Sequence, residues 1–111
     1  CIRDSISCIA PGGTGQRHGH MNSALFYIIS GKGYDIHDGK RIDYEAGDVI
    51  IVENGCVHQH FNASDEEDLV SLVMKAKPLF LFMHMLFQKV AEYPPKEPIP
   101  GWEHWEPPTD L

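Results

Sequence analysis

The sequence predicts an all-β domain, a small barrel or sandwich of antiparallel strands, and three observations predict it. Short β-branched and aromatic runs recur with turn signals at roughly 8–12-residue intervals. No convincing amphipathic helix precedes residue 78. The whole chain, at 111 residues, has the length of a single domain that can bury its own core.

Taken in order, the first 23 residues, with Gly12, Gly13, Gly15 and Gly19, are glycine-rich and hold no helical period. The run 24–30, Ala-Leu-Phe-Tyr-Ile-Ile-Ser, reads as a strand bounded by Gly31-Lys32-Gly33. Residues 34–37 form another, leading into Asp38-Gly39, a strong two-residue hairpin signal. Residues 41–44 alternate, Glu45-Ala46-Gly47 turns, and the apolar run within 48–53 reads as a buried strand. Asn54-Gly55 turns again before a short strand over 56–61. The acidic run 65–68 reads as a solvated loop, and 69–75 as a further strand.

After Pro78 the pattern changes. Residues 79–87 are apolar on every side except at His84, and periodicity alone fits either a final strand or a short helix. So apolar a run has to be covered by protein, which predicts a homodimer with His84 as a satisfied interface residue. The expected organisation is a barrel domain over 1–91 and a proline-rich tail over 92–111, extended along the surface and pinned by Trp102 and Trp105.

Composition narrows the function. Lys plus Arg number 9 against 16 acids, a net charge of −7, the wrong sign for tracking nucleic-acid phosphates. The longest apolar run is too short to span a bilayer, so no membrane partner is expected. Three cysteines without C-x-x-C spacing argue against a disulfide scaffold and a zinc ribbon. Cys1 and Cys8 offer a pairing, but a reduced, cytoplasmic chain is the simpler expectation, although the chain begins at Cys1 rather than Met.

Seven histidines are a surplus. His18 and His20 lie two apart, so on a strand both imidazoles leave the same face. His58 arrives on another strand, and the fold has to bring it to them. Three neutral imidazoles with no thiolate suit Fe, Cu, Zn, Ni or Mn in an open, catalytic site rather than a closed structural one. His60, in parity with His58, reads as a packed, hydrogen-bonded histidine, a fourth ligand or an acid/base group. Gln59 is expected to face the other way, and Asn62 to satisfy turn backbone. Tyr27 and Phe61 are candidates for the pocket wall, and Tyr27 joins His60 as a candidate catalytic residue. Cys56 reads as a free buried thiol, His37 as solvent-exposed beside its turn, and His104 as tail.

These residues resemble the two motifs of the cupins. The first reads Gly, five residues, His-x-His, three or four residues, Glu, six residues, Gly. Here Gly12, His18-Gly19-His20, Ala24 and Gly31 keep that spacing, with Ala in place of Glu. The second reads Gly, five residues, Pro-x-Gly, two residues, His, three residues, Asn. Gly47, Glu53-Asn54-Gly55, His58 and Asn62 match it, with Glu in place of Pro. The resemblance implies a double-stranded β-helix, a jelly-roll barrel of two antiparallel sheets, holding one mononuclear metal on His18, His20 and His58.

In most metal-binding cupins the Glu is the fourth ligand, and Ala24 cannot take that role. The sequence His18-Gly-His-Met-Asn-Ser-Ala-Leu25 is similar to the ring-cleaving gentisate dioxygenase group, whose proteins are bicupins about three times longer. That likeness implies Fe(II); a three-imidazole site binds Cu(II) more tightly still, which makes copper a close variant, and the donor set leaves Zn, Mn or Ni as further possibilities. It implies an O2-using oxidoreductase, dioxygenase-like, acting on a small organic substrate with two adjacent coordinating oxygens. The rival readings are a metal-dependent isomerase or lyase using the ion as a Lewis acid, and a non-catalytic ligand-binding barrel.

Overall fold

In the computed structural model, which describes residues 3–92, nine strands and one short helix follow one another: β1 (Arg3–Ile9), β2 (Arg17–His20), β3 (Ala24–Ser30), β4 (Lys32–His37), β5 (Lys40–Glu45), β6 (Val49–Val52), β7 (Val57–Asn62), β8 (Leu69–Lys75), α1 (Lys77–Phe82) and β9 (Gln88–Glu92). They form two antiparallel sheets, one in the order β1-β8-β3-β6 and the other β5-β4-β7-β2-β9. This is the jelly-roll arrangement of a double-stranded β-helix.

Period-two alternation places the core between the sheets. Ala24, Phe26 and Ile28 of β3, Ile50 and Val52 of β6, and Leu69 and Val73 of β8 are buried, and Tyr44 and Cys56 meet them from the opposite side. The Asp38-Gly39 hairpin forms as expected, with both residues at positive φ (46° and 86°), which is what a type I′ turn requires. Gly31 has φ 86°, and a Cβ there would lie 2.5 Å from the Asp68 carbonyl, so no other residue fits the passage from β3 to β4.

Two elements depart from the sequence reading, and a third resolves a choice that the sequence left open. β1 lies within the glycine-rich opening, where no strand was expected. Its inward residues on the β8 register include Ser5 and Ser7, so the usual apolar-in signature is absent. β6 is not buried on both faces: Val49 and Ile51 are 53% and 61% exposed, and only Ile50 and Val52 reach the core. The apolar run 79–87 becomes the end of α1, a turn with His84 at φ 55°, and an extended lead into β9. Within this chain it is left open to solvent, with Phe82 83% and Phe87 65% exposed. β9 runs through Glu92; the rest of the expected tail, with Trp102, His104 and Trp105, lies outside the described residues. Among the described residues no helix is long and apolar enough to cross a membrane.

Candidate metal centre

β2 and β7 are neighbours in the five-stranded sheet, and their register sets His18 directly across from His58. His20 leaves the same face of β2 as His18. The ring centroids lie 4.4 Å (His18–His58), 4.9 Å (His20–His58) and 5.4 Å (His18–His20) apart. One nitrogen from each lies within 4.8 Å of the others.

Hydrogen bonding fixes which nitrogen is offered. His18 Nδ1 donates to the Gln16 carbonyl at 2.9 Å, His20 Nδ1 to Asn22 at 2.6 Å, and His58 Nδ1 to Cys56 at 3.1 Å. A carbonyl only accepts, so each Nδ1 carries the proton and each Nε2 keeps its lone pair. His20 Nε2 is the buried side-chain nitrogen or oxygen that lacks a hydrogen-bond partner among the described residues. Burial is the main cause that lowers all three pKa values, His58 to about 3, and the backbone hydrogen bonds oppose it only partly. Three neutral imidazoles converging through Nε2, with one of those nitrogens buried and unsatisfied, fit a transition-metal ion.

A second polar group stands beside them. Asp35 on β4 is 0% exposed and accepts from Tyr44 Oη at 2.8 Å, His60 Nδ1 at 2.8 Å and His37 Nε2 at 3.1 Å. Burial alone would raise its carboxyl, but the hydrogen bond and charge of His60, with the bonds from Tyr44 and His37, hold it below the ordinary value. The His60 ring packs 4.6 Å from Phe26 and 5.1 Å from His58. A cavity of about 280 Å³ opens over the cluster, lined by His18, His58 and His60 with Phe26, Ser7 and Lys75 among others.

The family model for the cupin domain matches residues 5–75. The chain belongs to the cupin domain family. It is 29% identical over 84 residues to 1-hydroxy-2-naphthoate 1,2-dioxygenase of Nocardioides sp. (strain KP7), a match covering 76% of this chain and 22% of that protein. Its fold resembles salicylate 1,2-dioxygenase from Pseudaminobacter salicylatoxidans, at a TM-score of 0.75 and 20% identity, over 80% of this chain and 26% of that one. It also resembles a cupin-like protein from Thermotoga maritima, at a TM-score of 0.70 and 22% identity, over 82% of this chain and 65% of that one. The chain spans about a quarter of the length of the dioxygenases it matches. The structural likenesses establish the fold.

The cupin barrel brings His18, His20, His58 and His60 together as expected, and the others divide. Gln59 does face away from His58, donating to Thr14 Oγ1 at 3.0 Å. Asn62 satisfies turn backbone, donating to the carbonyls of Ile9, Ala10 and Glu67 and accepting from Ser64 N–H. Cys56 is a free buried thiol whose pKa burial pushes up to about 11. Tyr27 is a correction: it is 41% exposed and out of parity with buried Ala24, Phe26 and Ile28, so it stands on the outer face of the sheet. Phe26, rather than Tyr27, packs against His60. Phe61 likewise faces outward, stacked on Tyr34 at 4.7 Å. His37 is a third correction. It is not solvated beside its turn; its side chain is 11% exposed and bonded to Asp35. Asp35 and Lys75 are the site residues that sequence reasoning missed. Parity along β4 and β8 places both on inward faces, but only the sheet order shows what they meet.

Proposed function

We propose that this cupin is a metal-dependent, O2-using oxidoreductase of the dioxygenase kind, acting on a small organic substrate with two adjacent coordinating oxygens. The observation that carries the reading is the donor set: three imidazoles with Nδ1 tied to backbone carbonyls and Nε2 free for an ion, and Ala24 where a carboxylate ligand would stand. His18, His20 and His58 would hold one mononuclear ion, Fe(II) or Cu(II). Such an ion supplies a redox-active Lewis acid with positions open for substrate oxygens and O2. The dioxygenase relatives are named for 1-hydroxy-2-naphthoate and salicylate, aromatic hydroxy acids, and that class is the proposed substrate here.

The chain's own residues complete the site. Phe26 and Val73 give the cavity an apolar wall against which an aromatic ring packs. His60 lines the same cavity with its Nδ1 proton held by Asp35, so Nε2 is the atom that takes a proton from a substrate hydroxyl and later returns it. Asp35 fixes that tautomer and ring orientation while itself held by Tyr44 and His37.

Oxygen-electrode measurements on Fe(II)- and Cu(II)-loaded protein, against a panel of hydroxy acids, catechols and enediols, test the reading. Substrate-dependent oxygen uptake is the expected result. No uptake with either metal, alongside anaerobic turnover with Zn or Mn, would replace it with the isomerase or lyase reading.

A further inference from the structure

On the inner face of the four-stranded sheet, Ser7 of β1 stands directly across from Ser71 of β8. Ser71 shares the parity of buried Leu69 and Val73, so the register turns both hydroxyls toward an otherwise apolar core. Ser71 is 7% exposed and Ser7 is half-buried. Neither side chain has a hydrogen-bond partner among the described residues. An inward hydroxyl left unpaired is costly, and such groups are generally met by water or by a ligand.

A recess of about 20 Å³, room for one water-sized group, lies between these serines and Asp35, with Ile28, Ile50 and Leu69 as its apolar side. Ser7, Phe26 and His60 line both this recess and the larger cavity over the three imidazoles, so the two adjoin. Directly opposed residues on one face of an antiparallel pair hold their Cβ atoms about 4.5–5.5 Å apart, close enough for two hydroxyls to bond one oxygen placed between them. Asp35 borders the recess as a carboxylate, which disfavours a second anion there.

We propose that this recess is a specificity subsite that takes one neutral hydroxyl of the substrate, bonded by Ser7 and Ser71. The inference rests on the function proposed above and adds to it a preferred substituent: a hydroxyl on the edge of the ring turned away from the chelating oxygens. A methyl group has the right size but leaves both serines unpaired, and a carboxylate meets Asp35. A larger substituent exceeds the space that Ile28, Ile50 and Leu69 leave.

The test is isothermal titration of Zn(II)-loaded protein, which is redox-inert, with salicylate and with analogues that carry a hydroxyl or a methyl at either ring position remote from the chelating oxygens. Wild type is expected to bind one hydroxyl analogue about tenfold or more tightly than its methyl counterpart, the scale set by leaving buried hydroxyls unpaired. Ser71→Ala should remove most of that preference while the affinity for salicylate itself changes little. Ser7→Ala, on the edge strand, should do the same and serves as the second variant. Equal binding of hydroxyl and methyl analogues by wild type, or a preference unchanged in both serine variants, would overturn the subsite and leave the proposed function standing. Failure of the wild-type Zn(II) protein to bind salicylate or any analogue would overturn both the subsite and the proposed substrate class.

Discussion

Replacing Asp35 with Asn takes one negative charge from a fully buried carboxylate that accepts from Tyr44 Oη and His60 Nδ1 at 2.8 Å each and from His37 Nε2 at 3.1 Å. The amide keeps the shape and one accepting oxygen, but its NH2 group has to face a donor. A hydrogen bond to a charged group contributes about 1.5–3 kcal/mol, and the substitution forfeits at least one of three while weakening the rest. A loss of about 3 kcal/mol at pH 7 is therefore expected, a fall in Tm on the order of 10–20 °C for a domain of this size. The pH dependence gives a sharper check. Although burial opposes it, the partners hold the Asp35 carboxyl below its ordinary value of 3.8. The native state thus binds this proton less readily than the unfolded chain. The stabilisation is present in full above the unfolded value and is lost as pH falls through the lower, folded one. Urea denaturation of both proteins at a series of pH values is the assay. The wild-type advantage should be full at pH 7 and shrink below about pH 4. Equal stability at pH 7, or a gap that persists undiminished to pH 3, would refute the reasoning.

His60→Ala should retain metal yet slow substrate-dependent oxygen uptake by about 10²–10⁴-fold, the usual worth of a positioned acid/base group. Retained metal with unchanged turnover would remove His60 from the chemistry. The chain is also expected to be a homodimer, because Leu79, Leu81, Phe82 and Phe87 and the outward residues Ile6, Ile29, Val49 and Ile51 leave large apolar surfaces open. Light scattering at micromolar concentration should give twice 12.5 kDa, and a mass of 12.5 kDa would contradict it.

Much of this site was legible in the sequence because two of its three clustered histidines share a strand. Parity alone puts His18 and His20 on one face, and the resemblance of Gly47–Asn62 to the second cupin motif singles out His58. Parity would also have corrected Tyr27: once Ala24 points inward, Phe26 and Ile28 follow, and Tyr27 must point out. Asp35 was not legible in the same way. Its partners come from β4, β5 and β7, and only the sheet order sets Tyr44, His37 and His60 around one carboxylate. β1 escaped notice for a related reason, since an edge strand that turns Ser5 and Ser7 toward the cavity lacks the apolar alternation by which strands are recognised. The run at 79–87 was compatible with two structures, and the helix begins where Pro78 can stand in a first turn.

The most direct test of the three-imidazole centre is elemental analysis of untagged protein beside the His18→Ala, His20→Ala, His58→Ala and His84→Ala variants. Removing one of three imidazoles would leave a weak two-nitrogen site, whereas His84 is exposed on a turn and is not a member of the cluster. About one Fe or Cu per chain is expected in the wild type and in His84→Ala, with a sharp loss in each of the other three while their circular dichroism stays native. Equal metal in all five proteins would contradict the account.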